Sequence, residues 1–363
     1  MNSGNFSDML INIYNVISVM SGTSLDGIDI LYAKFQFTDK WNYHIYKFET
    51  VKYPEFWVEL LKHLTQYSSF ELRDIDNSYS KYLANQIKDF IDRNEIKDID
   101  FISSHGHTAL HKPDEGYTYQ IGNQQILSDT LGKKVICDFR IQDVKLGGQG
   151  APLVPIGDKL LFNEYKYCIN LGGFSNISFE SNDQRVAFDI CPVNIVLNHY
   201  ANQLNLEYDA GGDVAKSGTV FTPLLEHLNE LQFYNLETPK SLGLEWVEAF
   251  IFPMINKFKL EVRDILRTFV EHIVLQVSKY LNEGKALITG GGVYNNFLIN
   301  RLEEFSKAEI IIPDVTIIEC KEALVFGLLG VLKDRNEVNC LKSVTGAKTN
   351  HSSGRILTPK INS

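Results

Sequence analysis

The sequence predicts an α/β protein built from two related halves. Three observations carry that prediction: apolar runs alternate with amphipathic helical stretches, a glycine-turned hairpin pattern at Val16 to Ala33 returns at Tyr167 to Ser178, and 363 residues are too many for one ordinary core. A hydrophobic content of 44% is enough to fill two. The expected extents are an N-terminal lobe over 1–160, a C-terminal lobe over 161–340 and a tail over 341–363.

The opening hairpin, VISVMSGTSLDGIDILYA, joins two apolar runs through a turn of small and acidic residues. A bare hairpin needs far less chemistry in its turn. Thr23 and Ser24 bring hydroxyls, Asp26 and Asp29 bring charge, and Gly22 and Gly27 let the backbone approach a ligand that a Cβ would exclude, which suits polyphosphate and its metal ion. A polar turn with spare hydroxyls is the plain alternative. Phe35 to Val51 alternates apolar and polar residues, as further antiparallel strands would. Phe56, Leu60, Leu61 and Leu64 share one helical face, and a longer helical stripe runs from Leu72 to Ile91. Ile99 to Ser103 reads as a short strand entering SSHGHTALHKP. Lys134 to Cys137 reads as another, delivering Asp138 and Arg140 ahead of the glycine-rich LGGQGAPLVP.

The second half restarts the plan with YCINLGGFSNIS. Arg185 to Asp189 is a strand ending in a carboxylate, Ile195 to Leu204 a helix and Asp209 to Gly218 a loop. Helices are expected over Pro223 to Leu231 and Arg263 to Leu281, the second followed by Gly284. Ala286 to Thr289 is a strand, GGG a turn, Tyr294 to Phe305 a helix, Ile310 to Ile312 a strand and Glu322 to Leu332 an apolar helix. The polar tail from Lys342 is expected to be loosely ordered at its end.

A net charge of -10, a pI near 5.4 and the lack of any basic run argue against a nucleic-acid surface. Five widely spaced cysteines with no CxxC pair fit a reducing compartment. The first basic residue is Lys34, so no signal peptide is expected, and no run is long enough to span a bilayer. A cytoplasmic protein is the expectation. Neither GxxxxGK[ST] nor a dinucleotide fingerprint is present, so a bound nucleotide would be held another way. His105, His107 and His111 could suggest zinc, but Gly106 and Pro113 break helical spacing and no fourth ligand is apparent, so a hydrogen-bonding loop is the better expectation.

In order along the chain stand MSGTSLDGID, SHGHT followed by His111 and Pro113, CDFR with LGGQGAPLVP, INLGGFSNIS, AFDICPVN, PKSLG, ITGGGVYNN, EALVFG and SVTGA. This series resembles the anhydro-N-acetylmuramic acid kinases, of the actin, sugar-kinase and heat-shock ATPase superfamily. The resemblance implies a two-lobed actin-like ATPase fold, ribonuclease H-like, with an internal duplication and a central nucleotide cleft. It also implies an activity: hydrolytic opening of the 1,6-anhydro bridge of the sugar and phosphorylation of O6 from ATP with Mg²⁺, in a cytoplasmic homodimer. A small sugar and ATP are the expected partners, with no nucleic acid and no membrane.

Residue by residue, the resemblance implies Asp189 as the carboxylate that takes a proton from the attacking water, with Glu322 facing the same water. Gly22, Thr23, Ser24, Leu25, Asp26, Gly27 and Asp29 match the first phosphate turn, Asp26 also facing the metal. Gly172 and Gly173 match the second turn, while Gly290, Gly291, Gly292 and Asn295 lie toward adenosine. His105, Thr108, Asp138, Arg140, Gln149 and Asn176 match the sugar site, Arg140 offering a planar fork to the acidic lactyl group. The plain alternatives are that Asp189 caps a helix or pairs with a cation and that Glu322 is a helix-start acid favoured by the dipole.

The sequence departs from the family where DICPVN replaces DTGPGN. Ile190, Cys191 and Val193 add bulk beside Asp189, where a ligand would need room. His107 stands in place of Gln, Ile141 and Gln142 replace arginines, and YDAGGDVAKSG differs from the family loop. Three rival readings follow: a sugar-binding or regulatory protein of the same fold without turnover, a kinase for a related amino sugar, and a glycosidase using Asp189 and Glu322 without ATP.

Overall fold

The structure, a computed structural model, describes residues 13–22 and 25–360. Thr23 and Ser24 of the first phosphate turn lie outside the described residues. Packing divides the chain into two compact units, Met1–Leu161 with Cys320–Ser363, and Phe162–Glu319. The division therefore differs from the expected extents, because the chain from Cys320 returns to the first unit.

The first unit holds a seven-stranded sheet of β1 (Ile13–Ser21), β2 (Ile28–Phe37), β3 (Trp41–Val51), β4 (Phe101–Lys112), β5 (Tyr117–Ile121), β6 (Val135–Cys137) and β12 (Arg355–Leu357), ordered β12-β6-β4-β1-β2-β3 with β5 on β4. The hairpin at Val16 to Ala33 is present, with Ser21 opposite Ile28 and β2 pairing on to β3. The Ser69–Arg93 helix starts at a capping box, in which Ser68 and Glu71 satisfy each other's backbone N–H groups. Its apolar stripe of Leu72, Tyr79, Leu83, Ile87 and Phe90 closes over Ile17, Ile28, Ile30 and Ile102 of the sheet.

One expectation for this unit is corrected. The stretch through His105, His107 and His111 is strand, not loop: β4 runs on to Lys112 because β5, which the sequence reading missed, pairs with it. Gly106 lies in the left-handed region at φ +71, and a Cβ there would stand 2.5 Å from the Ile121 carbonyl oxygen, so glycine lets the two strands close. The tail is also built into the fold, with a helical turn at Lys342–Thr345 and β12 antiparallel to β6. Its last residues, 361–363, lie outside the described ones.

The second unit holds β7 (Tyr167–Leu171), β8 (Phe174–Ser181), β9 (Gln184–Pro192), β10 (Lys285–Thr289) and β11 (Glu309–Ile311), ordered β11-β10-β7-β8-β9. In both units an antiparallel three-stranded meander is followed by strands added in parallel on the far side of its first strand. Strand for strand, β1-β2-β3-β4-β6 repeats as β7-β8-β9-β10-β11, so the internal duplication is present in the topology. The Val262–Ser278 helix packs Leu266, Phe269, Ile273 and Val277 into the core against Ile169, Ile177 and Ile288.

Here too some boundaries move. Asp209 to Gly218 is not a plain loop: the two carboxylate oxygens of Asp209 accept from the Val214 and Ala215 N–H groups and nucleate a short helix at Asp213–Ser217. The last long helix runs Val315–Asp334, so Glu322 is interior to it and is not a helix-start acid. From Cys320 onward its residues pack in the first unit, where the Phe326 carbonyl accepts from Ser103 Oγ at 2.5 Å. Among the described residues no helix is long and apolar enough to cross a membrane.

Candidate active site

In the first unit β1, β4 and β6 lie side by side in parallel, with Ser21 opposite His107 and Ser104 opposite Cys137. The carboxyl ends of β1 and β6 therefore bring Gly22 and the DFR segment level with the HGHT stretch inside β4, toward the end at which open α/β sheets bind ligands. Asp26 is exposed in the first turn, and Leu25 takes a left-handed φ of 62°. Gly22 is half-buried. A Cβ on Gly27 would meet the Val51 carbonyl oxygen at 2.6 Å, so this glycine answers first to the neighbouring strand. Asp29 on β2 accepts from Thr50 Oγ1 at 2.6 Å.

Arg140 is held by two bonds. Its Nε donates to His105 Nε2 at 2.9 Å and its Nη1 to the Gly150 carbonyl at 2.7 Å. The tautomer of His105 follows: Nδ1 faces the Gly106 carbonyl at 2.8 Å and must carry the proton, leaving the Nε2 lone pair for Arg140. Burial, the Arg140 charge and His107 hold His105 well below the usual histidine range, which keeps the ring neutral. The remaining guanidinium donors are available to a carboxylate. Beside them, His107 Nδ1 meets Ser21 Oγ at 2.8 Å, and Ser21 joins the hydroxyls of Tyr53 and Tyr79. Burial lowers His107 to about 4 and raises Tyr53 to about 12, so this buried network is uncharged near neutral pH.

The other residues matched to the sugar site divide. Thr108 is half-buried next to a bulge in the β4–β5 pairing, and the Gln149 side chain is exposed while its N–H donates to the Thr345 carbonyl. Asp138 is buried and engaged, with Asn123 Nδ2 and Arg355 Nε each 3.0 Å from one of its oxygens. The carboxyl of Glu322 is reached by solvent, yet the protein around it raises its pKa; Arg140 opposes that rise, Asp29 adds to it and Lys321 opposes it.

In the second unit β7 and β10 pair in parallel with Thr289 opposite Asn170, so the Gly172–Gly173 and Gly290–Gly292 turns leave the sheet side by side. Asn170 lies between them: a Cβ on Gly290 would fall 2.4 Å from Asn170 Oδ1, whereas a Cβ at Gly173 or Gly291 would meet only ordinary contacts, Ile195 Cβ at 4.0 Å and Asn194 Nδ2 at 3.6 Å. Gly292 is buried. Asn295 caps the Asn296–Phe305 helix through Oδ1, which accepts from the Leu298 N–H at 2.9 Å.

Asp189 on β9 lies directly opposite Asn176 on β8, and both side chains share one face of the sheet. The register slips beside them, Ser175 pairing with Cys191, so Ile190 is the extra residue of a β-bulge. The PKSLG segment straps Asp189 in place: its N–H donates to the Lys240 carbonyl at 2.9 Å, and its Oδ2 accepts from the Leu242 N–H at 2.9 Å. Among the described residues Oδ1 makes no hydrogen bond. Burial raises the Asp189 pKa and the Leu242 bond opposes the rise. The strap is anchored by Lys240, whose Nζ donates to the Phe233 carbonyl at 3.0 Å and lies over the Phe233 ring. The added bulk of DICPVN turns away from this face, since Ile190, Cys191 and Val193 are at most 1% exposed and join the core.

Sequence reasoning did not single out Asn170, Leu242, Tyr53 or Tyr79. PKSLG carried the only signal for the strap, and nothing local ties it to Asp189.

The family model for anhydro-N-acetylmuramic acid kinase matches residues 14–359. The anhydro-N-acetylmuramic acid kinase of Hydrogenovibrio crunogenus is 30% identical over 94% of this chain and 98% of its own length. That of Pseudomonas savastanoi pv. phaseolicola is 33% identical over 83% of this chain and 85% of its own. Among solved structures, component A of (R)-2-hydroxyglutaryl-CoA dehydratase from Acidaminococcus fermentans aligns at 13% identity and a TM-score of 0.46, covering 89% of this chain and 99% of that one. With the match running over nearly the whole described chain, this protein belongs to the anhydro-N-acetylmuramic acid kinase family.

Proposed function

We propose that the chain converts 1,6-anhydro-N-acetylmuramic acid, water and ATP to N-acetylmuramic acid 6-phosphate and ADP. The observation that carries this is Asp189, a carboxylate fixed at Oδ2 by Leu242, raised by burial and open at Oδ1. An unperturbed Asp, with a pKa of about 3.9, is a poor base, and burial moves it toward usefulness. Asp189 takes a proton from water as that water attacks the anomeric carbon. The bridging C–O bond breaks, and the freed O6 attacks the γ-phosphorus of ATP. The family resemblance supports Glu322 as a further carboxylate of the reaction.

Arg140, oriented by neutral His105, receives the lactyl carboxylate, with Thr108 and Gln149 holding sugar hydroxyl and amide groups; the family resemblance supports a sugar role for Asn176 as well. Asp138 contributes through its bonds to Asn123 and Arg355. The Gly172–Gly173 and Gly290–Gly292 turns of the second unit receive the nucleotide, and the family resemblance supports a phosphate role for the first unit's turn from Gly22 to Asp29. Asp26 and Asp29 offer only carboxylate oxygens, a donor set that fits Mg²⁺, and Asp26 would hold it. When bound, the ion neutralises charge on the transferring phosphoryl group. This reading includes a homodimer working in the cytoplasm, which the family resemblance supports.

The test is ADP release by purified protein with Mg²⁺ and ATP, with and without the anhydro sugar, and mass analysis of the product. Sugar-dependent ADP and a product heavier by one phosphate and one water are expected. ADP formed only with other amino sugars would reassign the substrate. Sugar binding without turnover would leave a binding protein, and ring opening without nucleotide would leave a glycosidase.

A further inference from the structure

A second cluster of chemistry-bearing side chains lies in the first unit, and none of the roles above uses it. Asp143, on the Ile141–Lys145 helix, is fully buried and faces Cys340 and His351 from the tail segment, which are 2% and 8% exposed. Cys340 and His351 are bound to each other as a β-bridge, their backbones exchanging N–H···O bonds of 3.1 and 3.2 Å. The Cys340 thiol is 3.0 Å from Asp143 Oδ1 and the His351 Nε2 is 3.6 Å from the same oxygen. The ligand atoms of all three lie within 4.8 Å of one another.

The protonation pattern leaves this cluster incomplete. His351 Nδ1 faces the Thr349 carbonyl at 3.0 Å, and a carbonyl only accepts, so Nδ1 carries the proton. In the neutral ring Nε2 then presents a bare lone pair to a carboxylate. It is buried without a hydrogen-bond partner, and 3.6 Å is too long for an N–H···O bond. Asp143 Oδ1 already accepts from the Cys340 thiol and the Thr345 hydroxyl, so the unpartnered atom is His351 Nε2, whose lone pair facing a carboxylate suits a positive centre that replaces the thiol proton. A sulfur, a nitrogen and an oxygen donor converging on one point match the set that tetrahedral zinc takes, and bonds of about 2.0–2.3 Å put neighbouring ligand atoms roughly 3.3–3.7 Å apart. The 3.6 Å between His351 Nε2 and Asp143 Oδ1 falls within that spacing, and the 3.0 Å thiol contact lies just below it.

We propose that Asp143, Cys340 and His351 bind a thiophilic divalent cation of the zinc class. The metal takes the place of the Cys340 thiol proton, which leaves to solvent; Asp143 enters as the carboxylate and His351 through its free Nε2. Thr345 Oγ1, 2.7 Å from Asp143 Oδ1, supplies the outer hydrogen bond or the fourth ligand. The second Asp143 oxygen stays bonded to the Gly150 N–H at 2.7 Å. The ion staples the tail to the helix that follows Arg140 and to the glycine-rich loop that Arg140 also touches.

The test is Co²⁺ titration of the chelator-stripped full-length protein, followed by absorption and displaced with Zn²⁺. One tightly bound Co²⁺ per chain is expected, with tetrahedral visible bands and a thiolate charge-transfer band. Cys340→Ser should abolish that band, and His351→Gln should keep it while weakening binding roughly 100-fold. Zn²⁺ should also raise the Tm of the stripped wild-type protein. Absence of tight Co²⁺ binding by the wild type, or a thiolate band that survives Cys340→Ser, overturns the proposal. Should Cys340→Ser not fold, the wild-type spectrum and His351→Gln decide it.

Discussion

The two units share a topology but spend their carboxylates differently. Two residues past each hairpin turn, β2 carries Asp29 opposite Thr50 of β3, while β8 carries Asn176 opposite Asp189 of β9. At the same register position the acid has changed strands. Asp29 is bridged by the Thr50 hydroxyl, and the pairing around it is regular, the β2–β3 register shifting only at Tyr32/Ala33. Asp189 instead lies beside a bulge and is strapped by the backbone of a distant segment. The duplicated scaffold thus holds its two acids by different means: Asp29 through a neighbouring hydroxyl, Asp189 through the backbone of a distant segment.

Substitutions can break or sharpen that contrast. The largest effect is expected for Asp189→Asn, which should lower kcat by about 10²–10⁴ and leave ATP affinity unchanged, measured by steady-state kinetics and nucleotide titration. Asp29→Asn should instead weaken nucleotide binding, and an equal loss of kcat alone would remove the distinction. Next, Arg140→Ala should raise the sugar KM roughly 10- to 100-fold and spare the ATP KM, because a charge-assisted bond is lost at the sugar only. Equal rises in both KM values would count against the lactyl assignment.

A smaller contrast lies in buried histidines. Unfolded histidines protonate near 6.5, whereas His107 in the first unit does so near about 4 and His272 in the second near about 3. Between these values the unfolded state binds more protons, so stability is full above about 6.5 and falls as pH drops through that window. Tm measured from pH 7 to 4 should decline, and His107→Asn should flatten the slope; an unchanged slope would show that His107 is not the titrating group. The smallest effect is Ile190→Val, expected to cost about 0.5–1.5 kcal/mol of stability in denaturant melts with both KM values unchanged. A shifted sugar KM would return Ile190 to the ligand face.

Much of this was legible because it is local. Hydrophobic alternation gave both hairpins, and the glycine turns and the strand carrying Asp189 stand where the pattern put them. What stayed hidden depends on pairing across distance. Three histidines and Gly106 obscure the alternation of β4, which becomes a strand through β5. The helix start at Val315 was missed because its first turn, Val315 to Ile318, is β-branched throughout, a composition that reads as strand. The inward turn of Ile190, Cys191 and Val193 follows from a bulge, which a motif comparison does not encode.

The returning chain at Cys320 has a consequence for biosynthesis. The second unit is one uninterrupted segment, so it can complete its core while the ribosome is still adding the residues that follow. The first unit begins earlier yet waits for its edge strand at Arg355–Leu357, and the pairing of that strand with β6 closes a very long loop. The half translated later is finished first. Pulse-labelled hydrogen exchange on the refolding chain should protect the Val262–Ser278 helix before β4, and late cleavage within the tail should leave the second unit folded beside an unfinished first.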